Sequence, residues 1–401
     1  MGMLKEGKPH RADRADVKVI FALTLIHFTG DFYISFINPL LPVLAEKFTL
    51  SLAQVGLLAG MMKVLAFVVQ PAVGYFADRY RSRIFILGGP IISLVFIALI
   101  GLASSYPMLL LFISLASIGG SMFHPSVAGM IAGYAGRHFG FSMSIFNMGG
   151  TLAFGIGPLI VAYAVAGYGL TALLWTAIPG IALMVLLFRI VPPPRGEGLR
   201  GQGFVGAVRT AFGEVWKAVF LIWIVMVLRA FVTQSFLAFI PIYYAREGHS
   251  LVSIGFIISL FTVAGALSGV VAGHLSDRIG YKPIYYATFG LSAPCMVLML
   301  LLEGAWVYVA ATAAGALLFS TQALGIVMAQ KLAPRGKSMV SSLMMGLAMG
   351  VGGMLIPVVG RIADLYSLPA VLYGLAVIPL LINGLVHYFP EKRIREQPLV
   401  G

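Results

Sequence analysis

The chain has 401 residues, 60% of them hydrophobic and only 10% charged, with a mean hydropathy of +0.97 and a formal net charge of +13. Soluble domains carry about 25% charged residues, so this composition excludes a water-soluble globular protein and puts the chain in a lipid bilayer. The basic residues form no patch with interleaved aromatics, which argues against a nucleic-acid partner. The single cysteine, Cys295, sits in an apolar run, so neither disulfides nor a thiolate metal site is available.

Residues 1–17 are a polar tail (Lys5, Lys8, Arg11, Arg14) leading into an apolar run too long for a signal peptide, so no cleaved leader is expected. A bilayer core takes about 20 apolar residues per helix, and the runs divide into twelve. The predicted spans are 18–46, 52–77, 84–103, 107–133, 140–165 and 168–191, then 215–244, 250–275, 283–302, 305–332, 338–362 and 367–389. Between the sixth and seventh lies a Pro/Gly-rich linker, 192–214, which cannot be a membrane helix. Its stretch 204–214 is compatible with a short amphipathic helix at the interface. The expected organisation is therefore a six-helix bundle over 18–191, the linker, a second bundle over 215–389 and a tail over 390–401.

Lysine and arginine placement orients the chain. Of 27 basic residues, only Lys47, Arg246 and Arg361 fall on the side opposite the chain ends, and Lys63 and Arg229 lie within spans. By the positive-inside rule both termini are expected in the cytoplasm, as in a bacterial inner or plasma membrane protein. The Gly-Gly pairs at Gly119–Gly120 and Gly149–Gly150 and the run Gly350 to Gly353 allow close helix approach. Mid-span prolines such as Pro39, Pro158, Pro241 and Pro357 are expected to bend their helices.

One stretch occurs twice. Gly74-Tyr-Phe-Ala-Asp78-Arg79-Tyr-Arg81-Ser-Arg83 returns as Gly273-His-Leu-Ser-Asp277-Arg278, 199 residues later. The same offset aligns Pro42 with Pro241, Ser51-Leu52 with Ser250-Leu251, Gly56 with Gly255 and Pro158 with Pro357 without a gap. An ungapped offset of half the chain is an internal repeat, and parallel repeats build one large class of secondary transporter. Each copy is a short charged turn between two spans. Its Asp can accept from the exposed amides of a neighbouring helix N-terminus, and its arginines can pair with carboxylates or lipid headgroups. Gly74, Asp78, Arg79, Arg83, Gly273, Asp277 and Arg278 are thus candidates for a gate on the chain-end side.

Duplicated after the second and eighth spans, this motif resembles that of the Major Facilitator Superfamily. The runs His27-Phe-Thr-Gly-Asp31, Asn38-Pro-Leu-Leu-Pro42, Gly119-Gly-Ser-Met-Phe123-His124-Pro125 and Leu228-Arg229-Ala-Phe resemble the fosmidomycin resistance family over nearly the whole chain. That resemblance implies an all-α fold of twelve transmembrane helices in two pseudo-symmetric six-helix bundles. It also implies a monomeric, proton-coupled antiporter exporting a small drug-like anion, with no cofactor. Antiporters often carry Gly-Pro-x-x-Gly-Gly in the fifth span; here Gly157-Pro158 is followed by Leu159-Ile-Val-Ala162. Uptake of a small organic anion by proton symport is therefore the second reading.

Among the 14 carboxylates only Asp31 falls at mid-membrane depth. Lys63 and Arg229 lie near the middle of spans two and seven. A charge in lipid costs from about 2.5 to more than 10 kcal/mol, so these side chains are expected to face a wet or paired interior. The repeat maps Arg229 onto Gly30, beside Asp31, so both are expected at similar depth across a central cavity. His27 lies one helical turn before Asp31 on the same face, and His124 precedes a proline. The candidate proton-coupling set is Asp31, His124 and His27. The candidate substrate-binding set is Arg229, Lys63, Asn38, Phe123, Asn147 and Gln234. The alternative is a permanent Asp31–Arg229 ion pair that only holds the halves in register.

An enzyme would need a catalytic set, yet the sequence has no His-Glu-x-x-His and no Gly-x-Ser-x-Gly, so none is expected. A channel or lipid flippase remains a competing class. Substrate identity and the sign of coupling depend on helix rotations.

Overall fold

The computed structural model describes residues 15–79, 83–135, 139–192, 215–333 and 343–390. Twelve helical spans long and apolar enough to cross a membrane are present among them. The linker and its proposed amphipathic stretch, apart from Pro192, lie outside the described residues. So do the polar tails, except for the residues flanking the first and last spans.

Span one is α1 (Val17–Ile34) followed by α2 (Ile37–Lys47). The break at Ser35–Phe36 comes four residues before Pro39, whose missing amide leaves the Ser35 carbonyl without its helical partner. Spans two to six are α3 (Leu52–Arg79), α4 (Gly89–Leu99, entered by a π turn at Ile84–Gly88), α5 (Tyr106–Tyr134), α6 (Phe139–Tyr168) and α7 (Ala172–Ile190). Spans seven to ten are α8 (Trp216–Arg246), α9 (Leu251–Ile279), α10 (Tyr281–Leu301) and α11 (Trp306–Leu332). The eleventh, expected as one run, is divided into a π turn at Leu343–Leu347, α12 (Ala348–Met354) and α13 (Ile356–Leu365). Pro357 and the glycines Gly350, Gly352 and Gly353 account for that division, since they remove an amide and weaken helical preference. The twelfth is α14 (Leu368–Val386).

The repeat is visible as repeated contacts. A Cβ on Gly56 of α3 would meet the Ile356 carbonyl oxygen at 2.7 Å and Pro357 Cα at 2.9 Å, while one on Gly255 of α9 would meet the Pro158 carbonyl oxygen at 2.7 Å. Gly56 and Gly255 are repeat mates, as are Pro158 and Pro357. The two crossings are therefore one contact made twice with the halves exchanged, as a pseudo-two-fold relation requires. Only glycine permits backbones this close. Both crossings lie toward the side away from the chain ends, where α2 also packs on α8.

Exposed aromatics lie near both rims. Tyr168, Trp175, Trp306 and Tyr366 lie near one rim and Trp216 and Tyr388 near the other. Amphipathic rings settle at the two membrane–water interfaces, and the exposed aliphatic side chains between them face acyl chains.

Candidate functional site

The mid-depth carboxylate is held by three helices of the first half. Asp31 and His27 share one face of α1, and His124 comes from α5. Asp31 Oδ2 lies 3.1 Å from His27 Nε2, and Oδ1 lies 3.1 Å from His124 Nε2. Asp31 and His27 are buried, whereas the His124 side chain is one-third exposed. His124 is thus the most exposed member of the triad.

The third helix orients His27. Its Nδ1 lies 2.9 Å from the Phe146 carbonyl oxygen of α6. A carbonyl only accepts, so Nδ1 carries a hydrogen and donates. In a neutral ring Nε2 would then present a lone pair to a carboxylate oxygen at 3.1 Å, which is repulsive. The contact requires one proton between His27 and Asp31, whichever of the two carries it. His124 needs none beyond its own Nε2 hydrogen.

Close packing fixes this geometry. The His27 ring stacks on Phe146 (centroids 4.1 Å, 20°) and meets His124 edge-on (5.2 Å, 87°). Phe123 is fully buried, stacked on His124 at 4.1 Å and pressed against Gly30. It backs the triad and does not line a cavity. A Cβ on Gly150 would fall 2.7 Å from both Asp31 Oδ2 and His27 Nε2, so the Gly149–Gly150 pair of α6 serves the triad as well as helix packing. The three polar atoms lie within 4.8 Å of one another, a spacing a small cation can bridge. Both N···O separations are nevertheless ordinary hydrogen-bond lengths, and a proton satisfies them.

The second half contributes a cation with no salt bridge among the described residues. Arg229 on α8 is 1% exposed, and its Nε and Nη1 are buried without a hydrogen-bond partner. Its Nη2 lies 3.9 Å from Met349 Sδ, and Gln234 Nε2 lies 3.7 Å from the same sulfur. Tyr285 is its electrostatic neighbour, with the phenol directed to the Thr321 carbonyl at 3.2 Å. A permanent Asp31–Arg229 ion pair is not what holds the halves in register: the carboxylate is taken by two histidines of its own half, and Arg229 makes no salt bridge among the described residues. Lys63 on α3 is half-buried, packs its stem on Gly353 and interacts electrostatically with Asp31. Arg229 and Lys63 therefore flank α12, at Met349 and Gly353 respectively.

Two other candidates stand apart. Asn38 is half-buried on α2 and Asn147 exposed on α6, and neither hydrogen-bonds a described residue. The side chains of Gly74, Asp78, Arg79 and Asp277 lie outside the described residues. Arg83 donates to the Phe188 carbonyl at 3.2 Å and lies over that ring, an anchor within the first half. Arg278 is exposed, and a Cβ on Gly273 would meet nothing within 4 Å.

A family model described as Major Facilitator Superfamily matches residues 21–357. The chain belongs to the Major Facilitator Superfamily. It is 29% identical over 390 residues, 96% of this chain and 95% of the other, to the fosmidomycin resistance protein of Escherichia coli strain K12. It is 28% identical over 273 residues, 65% of this chain and 61% of the other, to a probable nitrate/nitrite antiporter, NarK1, of Thermus thermophilus. Among solved structures, a bacterial homologue of the human lysosomal transporter Spinster, described as inward-facing and occupied, superposes with a TM-score of 0.79 at 18% identity over 98% of both chains. Major Facilitator proteins are transporters, so the chain is a multi-pass membrane transporter, and a small-molecule substrate is expected. The fold of two pseudo-symmetric six-helix bundles agrees with the sequence reading.

Proposed function

We propose that the protein is a proton-coupled antiporter that exports a small anionic, drug-like compound of the phosphonate kind by alternating access. The observation that carries this reading is a buried carboxylate contacted by two histidines in one half and, in the other, a buried guanidinium without a salt bridge among the described residues. His27 and Asp31 hold one proton, and His124 passes it to and from water. Arg229, with Lys63 across α12, offers N–H donors that suit two oxygens of a phosphonate or carboxylate. A substrate anion arriving at these cations offsets their positive field at Asp31 and favours the protonated triad, so the two sites are coupled, and export requires the proton and the anion to load from opposite sides of the membrane. Relatives named for fosmidomycin resistance and nitrate/nitrite antiport fit an anionic cargo.

The two bundles, 18–191 and 215–389, would rock about the site as rigid units. The repeated Asp78 and Asp277 turns, with Gly74, Arg79, Gly273 and Arg278, would close the chain-end side. Both termini would be cytoplasmic and the working unit a monomer. Symport of an organic anion is the second reading, favoured by the departure after Gly157-Pro158 from the antiporter pattern.

Proteoliposome flux tests the reading. With an acidic lumen and a panel of small phosphonates and carboxylates outside, antiport accumulates substrate as protons leave. Symport accumulates it only when the lumen is alkaline. Flux indifferent to the pH gradient would refute coupling and point to a facilitator or a flippase.

A further inference from the structure

On the side away from the chain ends, the halves are joined by more than glycine contacts. Asp364, in the last turn of α13, accepts two backbone hydrogen bonds from the start of α3. The Leu52 amide donates to Oδ1 at 2.7 Å and the Ala53 amide to Oδ2 at 2.9 Å. These amides are the first two of α3, which no intrahelical carbonyl can satisfy, and the helix dipole favours an anion there. Helix α3 already has a local cap, because Ser51 Oγ accepts from the Gln54 amide at 3.2 Å while Gln54 Oε1 accepts from the Ser51 amide at 3.0 Å. The carboxylate is thus an addition that crosses from one half to the other, more than three hundred positions along the chain.

The repeat shows that this is a special feature. Its counterpart of Asp364 is Val165, and the matching helix start at Leu251 is capped, among the described residues, by its own Ser250, which accepts from the Ser253 amide at 3.2 Å. Beside the carboxylate, a Cβ on Gly360 would run into the Leu52 carbonyl oxygen, and one on Gly60 would meet the Gly353 carbonyl oxygen at 3.0 Å. Two rigid helix ends therefore meet through backbone on both sides. Rocking that opens this rim must break both amide–carboxylate bonds together.

We propose that Asp364 is a latch that holds the side opposite the chain ends closed by capping α3 from the other half of the molecule. The latch acts on the conformational equilibrium and does not depend on which substrate or ion is carried. It sits at an exposed rim, so its effect is that of a solvated helix cap.

Distance measurements between spin labels test this in full-length protein carrying Cys295→Ala. Ser104→Cys with Glu303→Cys reports on the latched side, and Arg189→Cys with Tyr388→Cys on the chain-end side; each pair is exposed and repeat-related. Asp364→Ala should raise the long-distance population of the first pair relative to the short one by about fivefold, as loss of a helix cap does. The second pair should shorten in step. Leu52→Pro removes one of the two donors at a helix position that tolerates proline, and should shift both pairs the same way by less. The double variant should shift them no further than Asp364→Ala alone. Unchanged distributions in Asp364→Ala overturn the latch, as does lengthening of both pairs, which reports loosening. If Asp364→Ala fails to fold, Leu52→Pro and Asp364→Asn decide, and unchanged distributions in both overturn it equally.

Discussion

Replacing Asp31 by asparagine separates proton coupling from substrate binding, and the geometry says why. The Phe146 carbonyl holds His27 Nδ1–H, so Nε2 needs a hydrogen from its partner if the ring is neutral. A carboxylate at 3.1 Å can supply one only by being protonated. An amide at position 31 supplies it permanently through its NH2 group, and its oxygen still accepts from His124. The variant therefore keeps both contacts, with no proton to load or release. Shape and volume are nearly unchanged, so the fold and the affinity at Arg229 should stay within a factor of about two to three, the size of an ordinary surface effect of ±0.5 kcal/mol. The driving force is lost in full. One coupled proton is worth about 1.4 kcal/mol per pH unit, so a gradient of two units sustains a substrate ratio of about a hundredfold. Asp31→Asn should bring that ratio to one while leaving substrate counterflow intact. The assay is accumulation in proteoliposomes with an imposed gradient, with lumenal pH followed in the same vesicles. Concentrative uptake by Asp31→Asn, with one proton still moving per substrate, would refute the assignment of the coupling proton.

Three further outcomes are expected. Arg229→Lys should weaken substrate binding by about tenfold or more in equilibrium titration, because an ammonium keeps the charge and loses the planar fork; unchanged affinity would remove Arg229 from the site. Gly150→Ala should abolish coupled transport and lower stability by about 1–3 kcal/mol in thermal unfolding, since its methyl would sit 2.7 Å from Asp31 Oδ2 and His27 Nε2; normal coupling would mean that α6 does not set the triad. Asp78→Asn should move the equilibrium away from the state closed at the chain-end side, read as changed cysteine accessibility there, and unaltered accessibility would place that gate elsewhere.

Twelve spans, the repeat and the single mid-depth carboxylate were legible from hydropathy and an offset of 199, because lipid forces long apolar runs and penalises each isolated charge. Glycine and proline positions carried more than expected, since Gly56, Gly255, Pro158 and Pro357 turned out to be the two crossing points between the halves. The rotations of α1, α5, α6 and α8 decided the rest. Hydrophobic periodicity is nearly uniform around a membrane helix, so it could not tell that Asp31 turns to His27 and His124 while Arg229 turns to Met349. The role of the Phe146 carbonyl has no sequence signal, because every residue carries a carbonyl and only packing aims one at His27. Asp364 reads in sequence as an ordinary charge at the end of a span. Tertiary structure brings it to the amides of Leu52 and Ala53, where long-range docking of two helix ends makes it the bond between halves.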